Sequence, residues 1–330
     1  MVFERMPADP AFAGIPTFLK LPHVASAEQL AAERPDVVVV GAPFDMAVVN
    51  RPGARYGPRA IRQASNLGRA VYHLELEVQP TRVLRAFDYG DAAIVPSSIE
   101  RSHEAIRQKV AEVAALGAVP VVLGGDHSIT LPAATAVADA VGRGKVGIVH
   151  FDAHADTAND SWGVLLAHGT PMRRLIESGA VPGPNFVQVG LRGYWPPPDV
   201  FEWMRAQGMR WHFMHEIEAR GFDTVLQEAI EQALDGPEAI YLSLDIDVLD
   251  PAFAPGTGTP EPGGLTSVQL LRAVRRIVER VRLVGMDVVE VAPAYDGPGQ
   301  ITAEVAHRLV LEALSALARK ASPKPSDASP

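Results

Sequence analysis

Apolar runs that stop abruptly at ionisable residues constrain this chain more than any other feature. Val146-Gly147-Ile148-Val149-His150-Phe151 leads straight into Asp152-Ala153-His154-Ala155-Asp156, and Ala239-Ile240-Tyr241-Leu242-Ser243-Leu244 leads into Asp245-Ile246-Asp247. Short apolar runs rich in β-branched residues read as buried strands, so five ionisable groups are delivered to strand ends. An unpaired buried carboxylate is costly, and a cation between the two stretches would remove that cost. Open α/β sheets keep their ligand sites at the carboxyl ends of their strands. The pattern therefore predicts a parallel sheet with a metal site at the carboxyl ends of its strands.

The rest of the chain repeats the beat. Val37 to Val40 runs into Gly41-Ala42-Pro43, and a helix is predicted to start within Pro58 to Ser65. Helix-like Ser102 to Leu116 leads to strand Val119 to Leu123, and Leu131 to Val141 leads to the strand ending at Phe151. Further strands are expected at Phe186 to Val189, Ala239 to Leu244 and Leu283 to Val289, with helices over Thr224 to Leu234 and Ser267 to Val281. Such alternation argues for an α/β fold, a mostly parallel sheet covered by helices. The 330 residues could make two domains, but no Ser/Gly-rich linker divides the middle, and the candidate ligands span His127 to Asp247. One domain over residues 1–320, with an N-terminal extension, is the expectation. Residues 321–330, rich in Pro and Ser, read as a disordered tail.

Composition excludes several functions. There is no cysteine, so disulfides, thiolate zinc sites and cysteine nucleophiles are absent. The net charge is -9 and no Lys/Arg run occurs, so no nucleic-acid footprint is expected. No apolar run approaches the ~20 residues that span a bilayer, and the N-terminus lacks signal-peptide character. A cytoplasmic protein that binds no membrane is expected.

A third segment completes the site. Gly124-Gly125-Asp126-His127-Ser128 follows the strand ending at Leu123 and places a histidine where the chain turns into a helix. Together the segments offer His127, Asp152, His154, Asp156, Asp245 and Asp247. Two imidazoles and four carboxylates exceed the needs of one divalent ion, whereas bridging carboxylates let them serve two ions ~3.5–4 Å apart. Oxygen-rich ligation with some imidazole and no thiolate suits Mn²⁺, and nickel, cobalt and zinc also accept imidazole. A metal pair lowers the pKa of a water towards neutrality, which makes hydrolysis the natural chemistry. Taken singly, Asp-x-His could be a turn or helix cap, and Asp245 with Asp247 an Asx turn before Pro251. Three such segments at three strand ends are much harder to explain that way.

These motifs, Gly-Gly-Asp126-His127-Ser, Asp152-Ala-His154-Ala-Asp156-Thr and Ser243-Leu-Asp245-Ile-Asp247-Val-Leu-Asp-Pro251, followed by Pro255-Gly-Thr-Gly-Thr-Pro-Glu-Pro-Gly-Gly264, resemble the ureohydrolases, the arginase and agmatinase family. The resemblance runs from about Gly14 to about Ala318. It implies a three-layer αβα sandwich around a mostly parallel, about eight-stranded sheet, assembled as a homo-oligomeric trimer or hexamer. It also implies two Mn²⁺, with Ni²⁺ or Co²⁺ as alternatives. One ion would be held by His127, Asp152, Asp156 and Asp245, and the other by Asp152, His154, Asp245 and Asp247.

The same resemblance points to Glu290, in Met-Asp-Val-Val-Glu290, as the group that orients a guanidinium through paired N–H bonds. Asp156 would pass a proton to the leaving amine. His168, in Ala-His168-Gly-Thr-Pro, would shuttle protons or hold the substrate's far end. Asp126 is expected to support His127, whereas His150, His212 and His215 lack motifs and read as structural. Gly41-Ala-Pro-Phe-Asp45-Met, Asn50-Arg-Pro-Gly-Ala-Arg-Tyr-Gly-Pro-Arg59 and His168-Gly-Thr-Pro resemble the agmatinase branch, which implies cleavage of agmatine to putrescine and urea, a step of polyamine metabolism. That branch also holds guanidinobutyrases and other guanidino-acid or guanidine hydrolases. Trp162, Tyr194 and Trp195 lie on loops where substrate length could be sensed. A single-ion deacetylase would use fewer of these ligands, and a non-catalytic partner subunit would have a ligand replaced; all six positions are filled.

Overall fold

In the computed structural model, which describes residues 10–64 and 71–322, the apolar runs are strands. They are β1 (Val37–Ala42), β2 (Ala86–Asp91), β3 (Val119–Gly124), β4 (Val146–Phe151), β5 (Phe186–Leu191), β6 (Arg210–Phe213), β7 (Ala239–Asp245) and β8 (Leu283–Val289). Every neighbouring pair is parallel, and the order across the sheet is β2-β1-β3-β8-β7-β4-β5-β6. The apolar runs predict six of these. The other two, β2 and β6, are the sheet's edges and carry Asp88, Asp91, Arg210 and His212. Edge strands tolerate charge, and the buried Asp88 of β2 is neutralised by paired bonds from Arg62, so a search for apolar runs passes over both.

Interior strands are buried on both faces, as parallel strands under two helix layers must be. Along β1, Val37 and Val39 pack with Ile61 in one cluster, while Val38 and Val40 pack with Leu30 and Val113 in another. One layer holds helices Gly57–Gln63, Phe222–Ala233, Ser267–Arg280 and Ile301–Ala321; the other holds Ile99–Ala114, Thr130–Val141, Pro171–Glu177 and Pro198–Ala206. Helix Ser267–Arg280 shows why the pattern folds. Thr266 and Gln269 form a reciprocal capping box, and Leu270, Ala273, Val274, Ile277 and Val278 recur on one buried face. Each larger side chain there contributes roughly 1.5–3 kcal/mol by burial. The final helix runs to Ala321, the first residue of the predicted tail. Residues 323–330 of that tail, and 1–9 of the N-terminal extension, lie outside the described residues. Among the described residues no helix is long and apolar enough to cross a membrane.

The sheet order positions the site. Strands β3, β8, β7 and β4 are consecutive across the sheet but not along the chain. The crossover from β3 to β4 leaves a gap that β7 and β8 later fill, a switch point of the kind that holds ligands in open sheets. The turn after β3 is threaded tightly beneath the loop after β1. A Cβ on Gly125 would lie 2.2 Å from the Phe44 carbonyl oxygen and 2.6 Å from that of Ala42, so only glycine fits.

Candidate metal centre and substrate cavity

His127 opens a short turn, His127–Ile129, directly after β3. Asp126 caps that turn, accepting from Ser128 N–H and Ala47 N–H, each at 3.0 Å. Asp126 therefore fixes the backbone under His127 rather than its ring. Burial, reinforced by the charge of Glu290, pushes Asp126 up to about 7. The ring is fixed by a different partner. His127 Nε2 lies 3.0 Å from Ser243 Oγ, and Ser243 donates to Asp287 Oδ1 at 2.8 Å. Tyr241 and Thr130 hydroxyls donate to Asp287 Oδ2 at 2.7 and 2.8 Å. An ionised carboxylate only accepts, so Ser243 directs its proton to Asp287 and accepts from His127 Nε2–H. The lone pair is left on Nδ1.

That Nδ1 faces Asp152 Oδ2 at 3.1 Å, Asp156 Oδ2 at 3.1 Å and Asp245 Oδ2 at 3.0 Å. His127 Nδ1 and Asp152 Oδ2 are buried without a hydrogen-bond partner. A lone pair among three carboxylate oxygens is repulsive unless a cation or proton lies between them. Donor atoms about 3 Å apart also match the edge of a coordination shell around an ion bound at about 2.1 Å, so these residues fit a divalent ion. The charge excess appears in the pKa values. Burial would depress His127, but Asp152, Asp156 and Asp245 raise it well above its ordinary value. Burial, with Asp247 and Asp152 nearby, pushes Asp245 well above the usual carboxylate range.

A second group shares Asp152. His154 Nδ1 lies 3.1 Å from Asp247 Oδ2 and 3.5 Å from Asp152 Oδ1. Asp247 Oδ1 accepts from Ala153 N–H at 3.2 Å, its Oδ2 from the Thr259 hydroxyl at 3.3 Å, and Asp245 Oδ1 from Asp247 N–H at 2.8 Å. Asp152, His154 and Asp247 are close enough to hold one ion. The fold thus brings His127, Asp152, His154, Asp156, Asp245 and Asp247 to one place. Sequence reasoning passed over Ser243 and Asp287 as neighbours of the cluster, and read as structural His150, whose Nε2 lies 2.9 Å from Asp152 Oδ2. Strand alternation could have found two of them, because His150 and Ser243 precede Asp152 and Asp245 by two positions and share their faces.

Glu290 and His168 meet beside this cluster. Glu290 Oε1 accepts from His127 N–H at 2.8 Å and from His168 Nδ1 at 2.9 Å. His168 Nε2 accepts from Val49 N–H at 3.2 Å, so the ring as placed is neutral with both nitrogens engaged. Burial pulls its pKa down, and the Glu290 carboxylate more than reverses this, lifting it to about 9. Protonation would require release of Val49. Asp156 and Glu290 sit at φ 51° and φ 61°, left-handed backbone that costs about 1–3 kcal/mol per residue. Such strain is characteristic of functional sites.

A cavity of about 560 Å³ opens over the cluster, lined by His154, Asp156, Asp245, Thr259 and Glu290 and, further out, by Arg173, Trp162, Trp195 and Val200. Of the three loop aromatics, Trp162 and Trp195 line it. Trp195 lies against Gly169, its ring 3.5 Å from where a Cβ would be.

A sequence model of the arginase family matches residues 35–316. The chain belongs to the arginase family. As an arginase-family member it is 42% identical over 314 residues to guanidinopropionase of Pseudomonas aeruginosa, covering 94% of each chain. It is 40% identical over 304 residues to the mitochondrial agmatinase of Gallus gallus, covering 92% of this chain and 86% of that one. The solved structure of proclavaminate amidino hydrolase from Streptomyces clavuligerus superposes with a TM-score of 0.83 at 37% identity, covering 94% of this chain and 99% of that one. The αβα sandwich and the ureohydrolase membership expected from the motifs both stand. The chain is an arginase-family hydrolase acting on guanidino C–N bonds.

Proposed function

We propose that this enzyme cleaves a small linear guanidino compound to urea and a primary amine, using two divalent ions, Mn²⁺ first and Ni²⁺ or Co²⁺ as alternatives. The observation that carries this is His127 Nδ1, left bare by the Ser243–Asp287 relay and facing three carboxylate oxygens at 3.0–3.1 Å. His127, Asp152, Asp156 and Asp245 would hold one ion, and Asp152, His154, Asp245 and Asp247 the other. When bound, the pair would lower the pKa of a water and offset charge that develops during attack on the guanidinium carbon. Glu290 uses Oε1 for His127 and His168, which leaves Oε2 to take guanidinium N–H donors in a charge-assisted bond. His168 fixes that carboxylate. Asp156, which lines the cavity, would return a proton to the leaving amine.

Agmatine, giving putrescine, is the substrate that the motifs imply, and ω-guanidino acids are the alternative, since relatives of similar identity include both an agmatinase and a guanidinopropionase. We further propose that residues up to about 320 act as one catalytic unit, in a cytoplasmic trimer or hexamer. Urea release should be measured after loading with manganese, nickel or cobalt, using agmatine, 4-guanidinobutyrate, 3-guanidinopropionate, arginine and guanidine. Urea from at least one linear substrate is expected. No urea from any of them would sink the hydrolase reading.

A further inference from the structure

We propose that Arg173 reads a carboxylate at the far end of the substrate, so that the preferred substrate is an ω-guanidino acid rather than agmatine; this rests on the guanidino-hydrolase reading and names its substrate class. Arg173 lines the outer cavity. It stands on helix Pro171–Glu177, which is tied to the metal cluster because Met172 N–H donates to the Asp156 carbonyl at 3.1 Å. Its guanidinium lies over the Trp203 ring at 4.4 Å, and its Nε donates to Glu177 at 2.9 Å. The side chain is only 17% exposed. Stacking and the Nε bond fix the plane of the fork, while among the described residues neither Nη group has a hydrogen-bond partner. A planar, oriented fork with unpaired N–H groups matches a carboxylate and repels an ammonium.

The acidic residues of the outer cavity are less suited to an ammonium. Asp160 Oδ1 already accepts from Gly163 N–H at 2.8 Å and its Oδ2 from Asn159 at 3.0 Å. Asp199 lies in the first turn of helix Pro198–Ala206, where the helix dipole already favours its negative charge. Glu177 is shared between Arg173 and Arg174, the latter at 2.9 Å, so this cluster of three retains a net positive charge.

The test compares the native chain with Arg173→Gln and Arg173→Lys, each metal-loaded and matched for metal content and melting temperature. Binding of 4-guanidinobutyrate and agmatine is measured by calorimetry, and urea release is measured alongside. The native enzyme should favour the acid. Arg173→Gln should weaken acid binding and raise its KM by roughly 10–100-fold, the scale for removing a hydrogen bond to a charged group, while agmatine binding improves. Arg173→Lys should keep part of the acid preference, having charge but no fork. Tighter binding of agmatine by the native enzyme, equal losses for both ligands in Arg173→Gln, or binding of neither would overturn the assignment. An acid preference that depends on Arg173 but yields no urea would support the carboxylate reader and refute the hydrolase reading instead.

Discussion

Asp287 offers the sharpest test of how the fold prepares the metal centre, although it touches none of the six candidate ligands directly. In Asp287→Asn, one carboxylate oxygen becomes an amide NH₂. The cheaper arrangement keeps the amide oxygen where Tyr241 and Thr130 donate at 2.7 and 2.8 Å and points the NH₂ at Ser243. Ser243 then accepts from the amide and turns its own proton towards His127 Nε2, which forces the ring proton onto Nδ1. That proton occupies the position between Asp152, Asp156 and Asp245 that suits a cation. Changes to groups that orient a metal-binding histidine cost about 10–100-fold in metal affinity, or about 1.4–2.8 kcal/mol. Competition titration against a chelator should show that loss for Mn²⁺. Ser243→Ala, which leaves Nε2–H without its partner, should weaken binding similarly and serves if the Asn variant folds poorly. A folded Asp287→Asn protein with metal affinity within about twofold of native would refute the relay.

Asp245→Asn should lower the content of both ions after equal loading, because under the proposed ligation one carboxylate would serve both; unchanged metal content by elemental analysis would refute the sharing. In the metal-free protein, His127 and His154 are raised well above their ordinary value, and Asp245 is raised as well. The histidine contribution to stability is therefore complete below about pH 6.5 and is lost as pH rises through the folded values. The raised carboxylate acts in the same direction. Thermal melts should show the metal-free protein losing stability as pH rises while metal affinity increases, since bound protons must leave; metal-free stability that rises with pH would contradict this. In Glu290→Gln, His168 loses the carboxylate that lifts it to about 9, and burial should take it below its ordinary value. NMR titration of the His168 ring checks this, with kcat/KM falling roughly 10–100-fold.

The residues that converge on the candidate metal centre were legible because their signals are local. Each candidate ligand lies at or just beyond the end of an apolar run, and an apolar run followed by Asp or His is visible without knowing what packs where. Six strands were legible for the same reason, being buried on both faces. The edges β2 and β6 were not, because they carry charged residues whose partners, such as Arg62 for Asp88, only the fold supplies. His168 and Glu290 came only through family resemblance, since a histidine in a loop and a glutamate after a strand carry no pattern of their own.

Which groups support the ligands was a different matter. Asp126 is adjacent to His127 in sequence, yet the ring is held by Ser243 and, through it, Asp287, from strands more than a hundred residues away. Arg173 likewise reads as one more arginine until Trp203 and Glu177 are seen to hold its plane.

By itself the sequence determined the chemistry: six metal-competent side chains at strand ends, no thiol, and enough apolar runs for a parallel sheet. The tertiary structure decided the order β3-β8-β7-β4, which converts four distant segments into one cluster, and the tautomer of His127, which leaves a lone pair facing carboxylates. Metal competence follows from local residue type, whereas convergence, tautomer and charge balance depend on groups that only folding brings within hydrogen-bond distance.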